Sequence, residues 1–530
     1  MEAFSLLGDG LVSALTPANL LWAFCGVLLG TAVGVLPGMG SAMAVALLLP
    51  VTFQMDPTAA FILFAGVYYG GTFGGATTSI LLNTPGQASS IATTYEGHKM
   101  ALAGRAPQAL GTAVIGSFVA SVIGTLVVAL FAPVMVDFAL KFGPGEYFAL
   151  TVFSFVAVAA VVSGSVVRGI ASLLIGLAIG LVGIDSQSGA PRFDFGSAVL
   201  LDGVDLIIVT VGLLALGEVL YVAAQGRHAP DLASIRSGKP WLKRRDLRRS
   251  WPAWLRGTAL GTTFGPIPGS GAEIPTFLSL GAERRLAKRR ERRGGEKSEF
   301  GKGAIEGVAG PEAANNGSAA GTLVPLLGLG LPTSATAAIM LAAFQQYGLQ
   351  PGPVLFERNG DLVWTLLASL LIGSVLLLAI NLPFAPLWAK LLKLPKPYLY
   401  AGITLFSVLA VYAINGSTVH LVMLLAVSLL AFAMRHFGVP VAPALIGVVL
   451  GPIAETELRR ALAASAGDPS ILVNSGISIG LYVMVVVAAL LPLAAKLRRL
   501  RARRAEAARD SGNDGDGGGE EREPAGTASR

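Results

Sequence analysis

The chain has 530 residues, of which 53% are apolar and only 13% charged, with a mean hydropathy of +0.67. Soluble domains carry about a quarter charged residues and could not bury this much apolar surface, so the composition excludes a soluble fold and reads as an integral membrane protein. The formal net charge of +7 is concentrated: no Lys or Arg precedes Lys99, nine lie between Arg227 and Arg256, nine between Arg284 and Lys302, and six between Lys496 and Arg504.

Taken in chain order, the N-terminal MEAFSLLGDG has no basic n-region and no cleavage site, so the first apolar stretch is expected to be retained. Cys25 is the only cysteine and has no intrachain disulfide partner; a small buried filler is its ordinary role. Apolar stretches follow at 109–132, 146–163, 204–224, 362–382, 398–414, 418–434 and 471–494. Several can cross a hydrocarbon core of about 30 Å, and roughly ten to twelve membrane segments are expected, some broken. The 66 glycines and 30 prolines sit within apolar sequence, where small residues let helices approach and breaks are tolerated if protein or water satisfies the freed backbone.

The three basic segments should face the cytoplasm. Lys/Arg clusters can also track phosphates, but these flank apolar spans, so no nucleic-acid partner is expected. Two of the segments bracket 257–281, which must then enter and leave the membrane on one side, as a re-entrant hairpin turning at 265–271. The expected organisation is a first membrane repeat (1–225), a basic cytoplasmic linker (226–252), a second repeat (253–495) with a basic cytoplasmic loop (283–302), and a tail (496–530). That tail is basic, then polar, Gly-rich and disordered.

The chain repeats itself. GTAVGVLPGMG at 30–40 matches GTTFGPIPGSG at 261–271, an offset of 231 residues. Gly26, Gly30, Gly34 and Gly38 align with Gly257, Gly261, Gly265 and Gly269, Pro37 with Pro268, and Gly40 with Gly271. Glycines four apart share one helical face and permit close packing, while Pro-Gly-x-Gly breaks the helix and frees backbone groups at depth. Downstream, 74–85 aligns with 321–332 at an offset of 247, the 16 extra residues falling in the basic loop. Basic residues flank the second hairpin but not the first, so the two should open to opposite sides. The expected fold is therefore an all-α polytopic membrane protein of two inverted-topology repeats with broken helices and re-entrant hairpins, the pattern of secondary transporters.

The segments LPGMGSAMAVALLLPVTF, YYGGTFGGATTSILLNTPG, FGKGAIEGVAGPEAANN, PIPGSG and GLGLPTSATAA resemble the TctA family, the large membrane subunit of tripartite tricarboxylate transporters, over about residues 15–495. The resemblance implies a cation-coupled importer of di- and tricarboxylates or related organic acids, multi-pass in the bacterial inner membrane. It also implies two partners, a small four-helix membrane subunit (TctB-like) and a periplasmic substrate-binding protein (TctC-like). The chain departs from the family pattern at Pro332-Thr333-Ser334 (usually Pro-Gly-Ser), at Glu96-Gly97 (usually Asp-Gly) and at Gly310 (usually Ala).

A carboxylate needs donors, and half-helix N-termini after Pro85 and Pro332 offer them, with Gly86, Ser89, Ser90, Thr333, Ser334 and Thr336 as substrate candidates. Carbonyls at the tips (Pro37, Gly38, Gly40; Pro268, Gly269, Gly271) with Asn83, Asn315 and Asn316 form an oxygen-rich set suited to Na⁺. With four histidines and no evident proton relay, Na⁺ is favoured over H⁺. Glu273, Glu306 and Glu312 are candidate coupling carboxylates. No cofactor or resident metal is expected. The alternative is a carboxylate- or ion-conducting channel, since pores also use broken helices and carbonyl rings, and flux that tracks an ion gradient separates the two; an intramembrane enzyme or nucleotide-driven pump finds less support, because the G-x-S-x-G at 476–480 lacks a strand–turn–helix setting and Gly301-Lys302-Gly303 lacks P-loop spacing.

Overall fold

The computed structural model describes residues 2–36, 39–162, 165–185, 188–225, 241–391 and 396–490. Residues 226–240 of the expected linker and the whole tail lie outside them. In hydrocarbon a backbone can pair only with itself, so apolar sequence folds into helices. The first half holds α1 (Glu2–Ala14), α2 (Pro17–Gly34), α3 (Ser41–Thr52), α4 (Pro57–Leu82), α5 (Ile91–Met100), α6 (Ala106–Ala139), α7 (Pro144–Val162), α8 (Val166–Gly180), α9 (Ala198–Leu201), α10 (Leu206–Thr210) and α11 (Gly217–Ala224). The second holds α12 (Arg244–Phe264), α13 (Glu273–Arg292), α14 (Glu306–Leu329), α15 (Ala335–Gln346), α16 (Pro353–Arg358), α17 (Gly360–Leu391), α18 (Lys396–Asn415), α19 (Thr418–His436), α20 (Ala442–Ala464) and α21 (Gly476–Leu490). Among the described residues the only strands are the short antiparallel pair β1 (Gly183–Ile184) and β2 (Pro191–Arg192).

Among the described residues six helical runs are long and apolar enough to cross a membrane, and six shorter apolar helices accompany them, in keeping with a polytopic all-α protein. The long runs include α2, α4, α19 and Gly360–Phe384 of α17. Lipid-facing character is plain on α18, α19 and α21, which leave Phe406, Leu409, Val422, Leu425 and Val483 exposed. By contrast α4 is buried along its whole span. Its start is fixed by Pro57 and by Asp56, whose carboxylate accepts from the N–H of Thr58 (2.9 Å) and Ala59 (3.3 Å).

The sequence repeat is a repeat of packing. A Cβ on Gly26, Gly30 or Gly34 of α2 would collide with the carbonyl oxygens of Leu63, Val67 and Gly71 on α4. Gly257, Gly261 and Gly265 of α12 stand the same way against the carbonyls of Gly310, Ala314 and Ser318 on α14. Each of these three second-half contacts is the first-half contact displaced by 231 residues on the hairpin arm and 247 on the long helix. Only glycine lets the backbones come this close.

The two hairpins, α2–α3 and α12–α13, open to opposite faces. Thr52 at the end of α3 accepts a hydrogen bond from the hydroxyl of Tyr347, just past α15. The far arm of the second hairpin instead meets the basic face, where Glu283 pairs with Arg256 (2.7 Å) and Glu96 of α5 accepts from the N–H groups of Gly301, Gly303 and Ala304 (2.7–2.9 Å). Between these faces runs α4, whose 26 residues span about 39 Å at 1.5 Å per residue. The basic segment from 284 begins as helix, α13 continuing to Arg292.

Candidate functional site

Each long helix ends in a left-handed residue, which stops the helix and turns the chain back towards the hairpin. In α4 that residue is Asn83 (φ 54°) and in α14 it is Gly330 (φ 66°), 247 positions later. The chain then runs extended to a helix cap, Gln87 (φ −143°, ψ 163°) in one half and Ser334 (φ −144°, ψ 166°) in the other. The two breaks thus share a backbone geometry although their side chains differ. Ser334 Oγ accepts from the N–H of Ala337 (3.2 Å) and caps α15.

In the second half the hairpin tip is tied to the break. Gly269 (φ 76°) and Gly271 (φ 51°) make the turn, and the Gly269 N–H donates to the Thr333 carbonyl (3.3 Å). The Thr333 hydroxyl donates to the Gly265 carbonyl (2.9 Å) and that of Ser318 to the Gly271 carbonyl (2.7 Å). Two of the tip's oxygens are therefore already engaged by hydroxyls. Pro268 is buried beside them. In the first half Pro37 and Gly38 lie outside the described residues, while Gly40 caps α3 and faces Gln87. Buried Gly86 sits where a Cβ would press on the Gly34 carbonyl (2.7 Å) and Gly75 Cα (2.8 Å), so the end of α2 lies against the break of its own half.

The halves meet through these breaks. Ser41 Oγ, one residue past the first tip, lies 3.1 Å from Thr336 Oγ1 on α15. The Tyr68 hydroxyl of α4 lies beside Thr322 and Ser334 of the second half. Buried Ser89 and Ser90 occupy the short turn Ala88–Ser90, which packs against α13. With Cys25 replaced by serine, Ser41→Cys combined with Thr336→Cys is expected to crosslink under mild oxidation, seen as halves that stay joined after proteolysis between them. Halves that separate under those conditions would refute this tip-to-break contact.

Behind the breaks lies a buried polar cluster centred on α14. Asn316 donates to Ser117 Oγ (2.7 Å) and accepts from Thr72 Oγ1 (3.1 Å); Asn315 donates to the Thr72 carbonyl (3.2 Å). The Thr93 hydroxyl donates to the carboxylate of Glu312, which is fully buried. Other sequence candidates sit apart from this cluster. Asn83 is exposed, and Glu306 is held at the basic face by Arg249 through two bonds of 2.9 and 2.7 Å. Glu273 lies on the first turn of α13, exposed, with its carboxylate folded over Gly271.

Sequence reading missed Ser41, Tyr68, Thr72, Thr93, Ser318 and Thr322. Two carried a usable signal: Tyr68 occupies the repeat position of Asn315, and Thr93 stands one helical turn after Ser90.

The chain matches the model of the tripartite tricarboxylate transporter TctA family over residues 20–446. An Agrobacterium vitis protein, described as an uncharacterized 52.8 kDa protein in the TAR-I ttuC' 3' region, is 41% identical over 495 residues, covering 93% of this chain and 97% of the relative. A second protein of that organism, described as an uncharacterized protein in the TAR-II ttuC' 3' region, is 38% identical over 235 residues, 44% of this chain and 94% of its own length. No solved structure matches the chain.

Proposed function

Because the chain belongs to the tripartite tricarboxylate transporter TctA family, whose members are large membrane subunits, we propose that it drives cation-coupled secondary import of di- or tricarboxylates or related organic acids. Na⁺ is the coupling ion in this reading. The partners are a small four-helix membrane subunit and a periplasmic binding protein that delivers the acid to the inner membrane.

The observation that carries this reading is the meeting of two oppositely opening hairpins with two matched helix breaks. Broken helices of inverted repeats expose helix N-termini, whose N–H groups and positive dipole ends suit a carboxylate, and they do so at the seam between the halves. Ser89, Ser334 and Thr336 line that seam and are the substrate hydroxyls. Thr333 serves the tip instead, since its hydroxyl is spent on Gly265. On the face opposite the basic one, a cavity of about 470 Å³ lined by Tyr147, Gln345, Glu457 and Arg460 reaches the break at Gly330 and offers a route of approach.

The test is uptake by proteoliposomes containing this chain and its small partner, with binding protein outside and Na⁺ and H⁺ gradients imposed separately. Accumulation that follows the Na⁺ gradient is expected. Flux that ignores both gradients would make the protein a channel and end the coupled reading.

A further inference from the structure

Three buried oxygens in the polar cluster have no hydrogen-bond partner: Ser90 Oγ, Glu312 Oε2 and Asn315 Oδ1. All three residues are fully buried. Their neighbours form a closed ring of contacts across three helical segments. Asn315 reaches the Thr72 carbonyl of α4; one turn along α4, a Cβ on Gly75 would strike Ser90 Oγ. Ser90 is bound through its carbonyl to Ser79 Oγ (2.9 Å), and one turn after it Thr93 donates to Glu312, which is one turn before Asn315. Ser90, Glu312 and Asn315, each with one unpartnered oxygen, are thus all members of this one ring.

Unpartnered buried oxygens are costly, and an unpaired carboxylate in a dry site most of all. Among the described residues no Lys, Arg or His pairs with Glu312: on the packed elements Arg256 is paired with Glu283, Arg249 with Glu306 and Glu299, and His98 is engaged with the Ile80 carbonyl. The geometry points to a binding pocket for one Na⁺ ion, ligated by Ser90 Oγ, Glu312 Oε2 and Asn315 Oδ1. One carboxylate, one amide oxygen and one hydroxyl form a hard oxygen set with a single negative charge, matched to a monovalent ion and not to a divalent one.

The pocket occurs once per chain. Shifting by 247 residues replaces Glu312 with Ala65, Asn315 with Tyr68, Ser90 with Ala337 and Thr93 with Met340, so none of its polar residues except the Tyr68 hydroxyl has a polar counterpart. It is therefore not one of a pair of sites related by the repeat.

The proposal rests on the cation-coupled reading above but is tested without transport. The full chain in lipid nanodiscs is melted in NaCl or in choline chloride at equal ionic strength. A saturable rise in Tm with Na⁺ alone is expected. Glu312→Gln and Asn315→Leu should move the half-saturating Na⁺ concentration at least tenfold higher, and Ser90→Ala several-fold. Should the first two fail to fold, Ser90→Ala decides, because its hydroxyl satisfies nothing in the ion-free protein. A Tm indifferent to Na⁺, one that tracks pH instead, or a Na⁺ response unchanged in the variants would each overturn the pocket. In the last case Na⁺ binds elsewhere, and coupled transport stands; uptake that follows no gradient would defeat that reading independently.

Discussion

Replacing Gly30 or Gly261 by alanine is expected to destabilise the protein by about 3 kcal/mol each, near the upper end for overpacking. The added methyl at Gly30 would overlap the Val67 carbonyl and lie 2.7 Å from Val67 Cα; at Gly261 it would overlap the Ala314 carbonyl and lie 2.7 Å from Ser318 N. These neighbours are backbone, so no side chain can rotate away, and the paired helices must part. Because the contact is the same in both halves, the two losses should be similar. Gly281→Ala on α13, where a Cβ meets nothing within 4 Å, should not lower the melting temperature. Thermal melts in detergent, read by size-exclusion recovery, check this; wild-type melting of Gly30→Ala would show that the helices are not in backbone contact.

The second large effect is expected at the basic face. Arg249→Met should cost about 3–5 kcal/mol, because it strands a buried carboxylate. Arg249 clasps Glu306 through two bonds and Glu299 through a third of 2.7 Å, with Glu306 only 7% exposed. After the change the nearest cation to Glu306 is Arg290, at 3.9 Å. Combining Arg249→Met with Glu306→Met should recover much of the loss, since a well-packed apolar pair avoids the desolvation of both charges. If Arg249→Met melts like wild type, the pair contributes nothing to the fold.

The repeat was legible in the sequence because it is imposed by backbone geometry. Only glycine survives at Gly26, Gly30 and Gly34 or at their partners, and the offsets of 231 and 247 are the offsets of the packed contacts themselves. The break was legible in position but not in its means: Asn83, read as an ion ligand, holds the left-handed turn that Gly330 makes in the second half. Glu306 stands beside a broken segment, yet its partner Arg249 lies 57 residues away in sequence. The bonds Ser41–Thr336 and Thr93–Glu312 join residues 295 and 219 positions apart. Such pairs depend on how two folded halves dock, which no local pattern of residues encodes.

The glycine seams also set the mechanics of the molecule. A leaf spring clamped along one edge bends only at its free edge, and α2 and α12 are clamped along their length to α4 and α14 by contacts that leave no slack. Neither first arm can swing alone. What is left to travel is the second arm of each hairpin, α3 or α13, or else a whole clamp carried as one block, with hairpin arm and broken helix moving together.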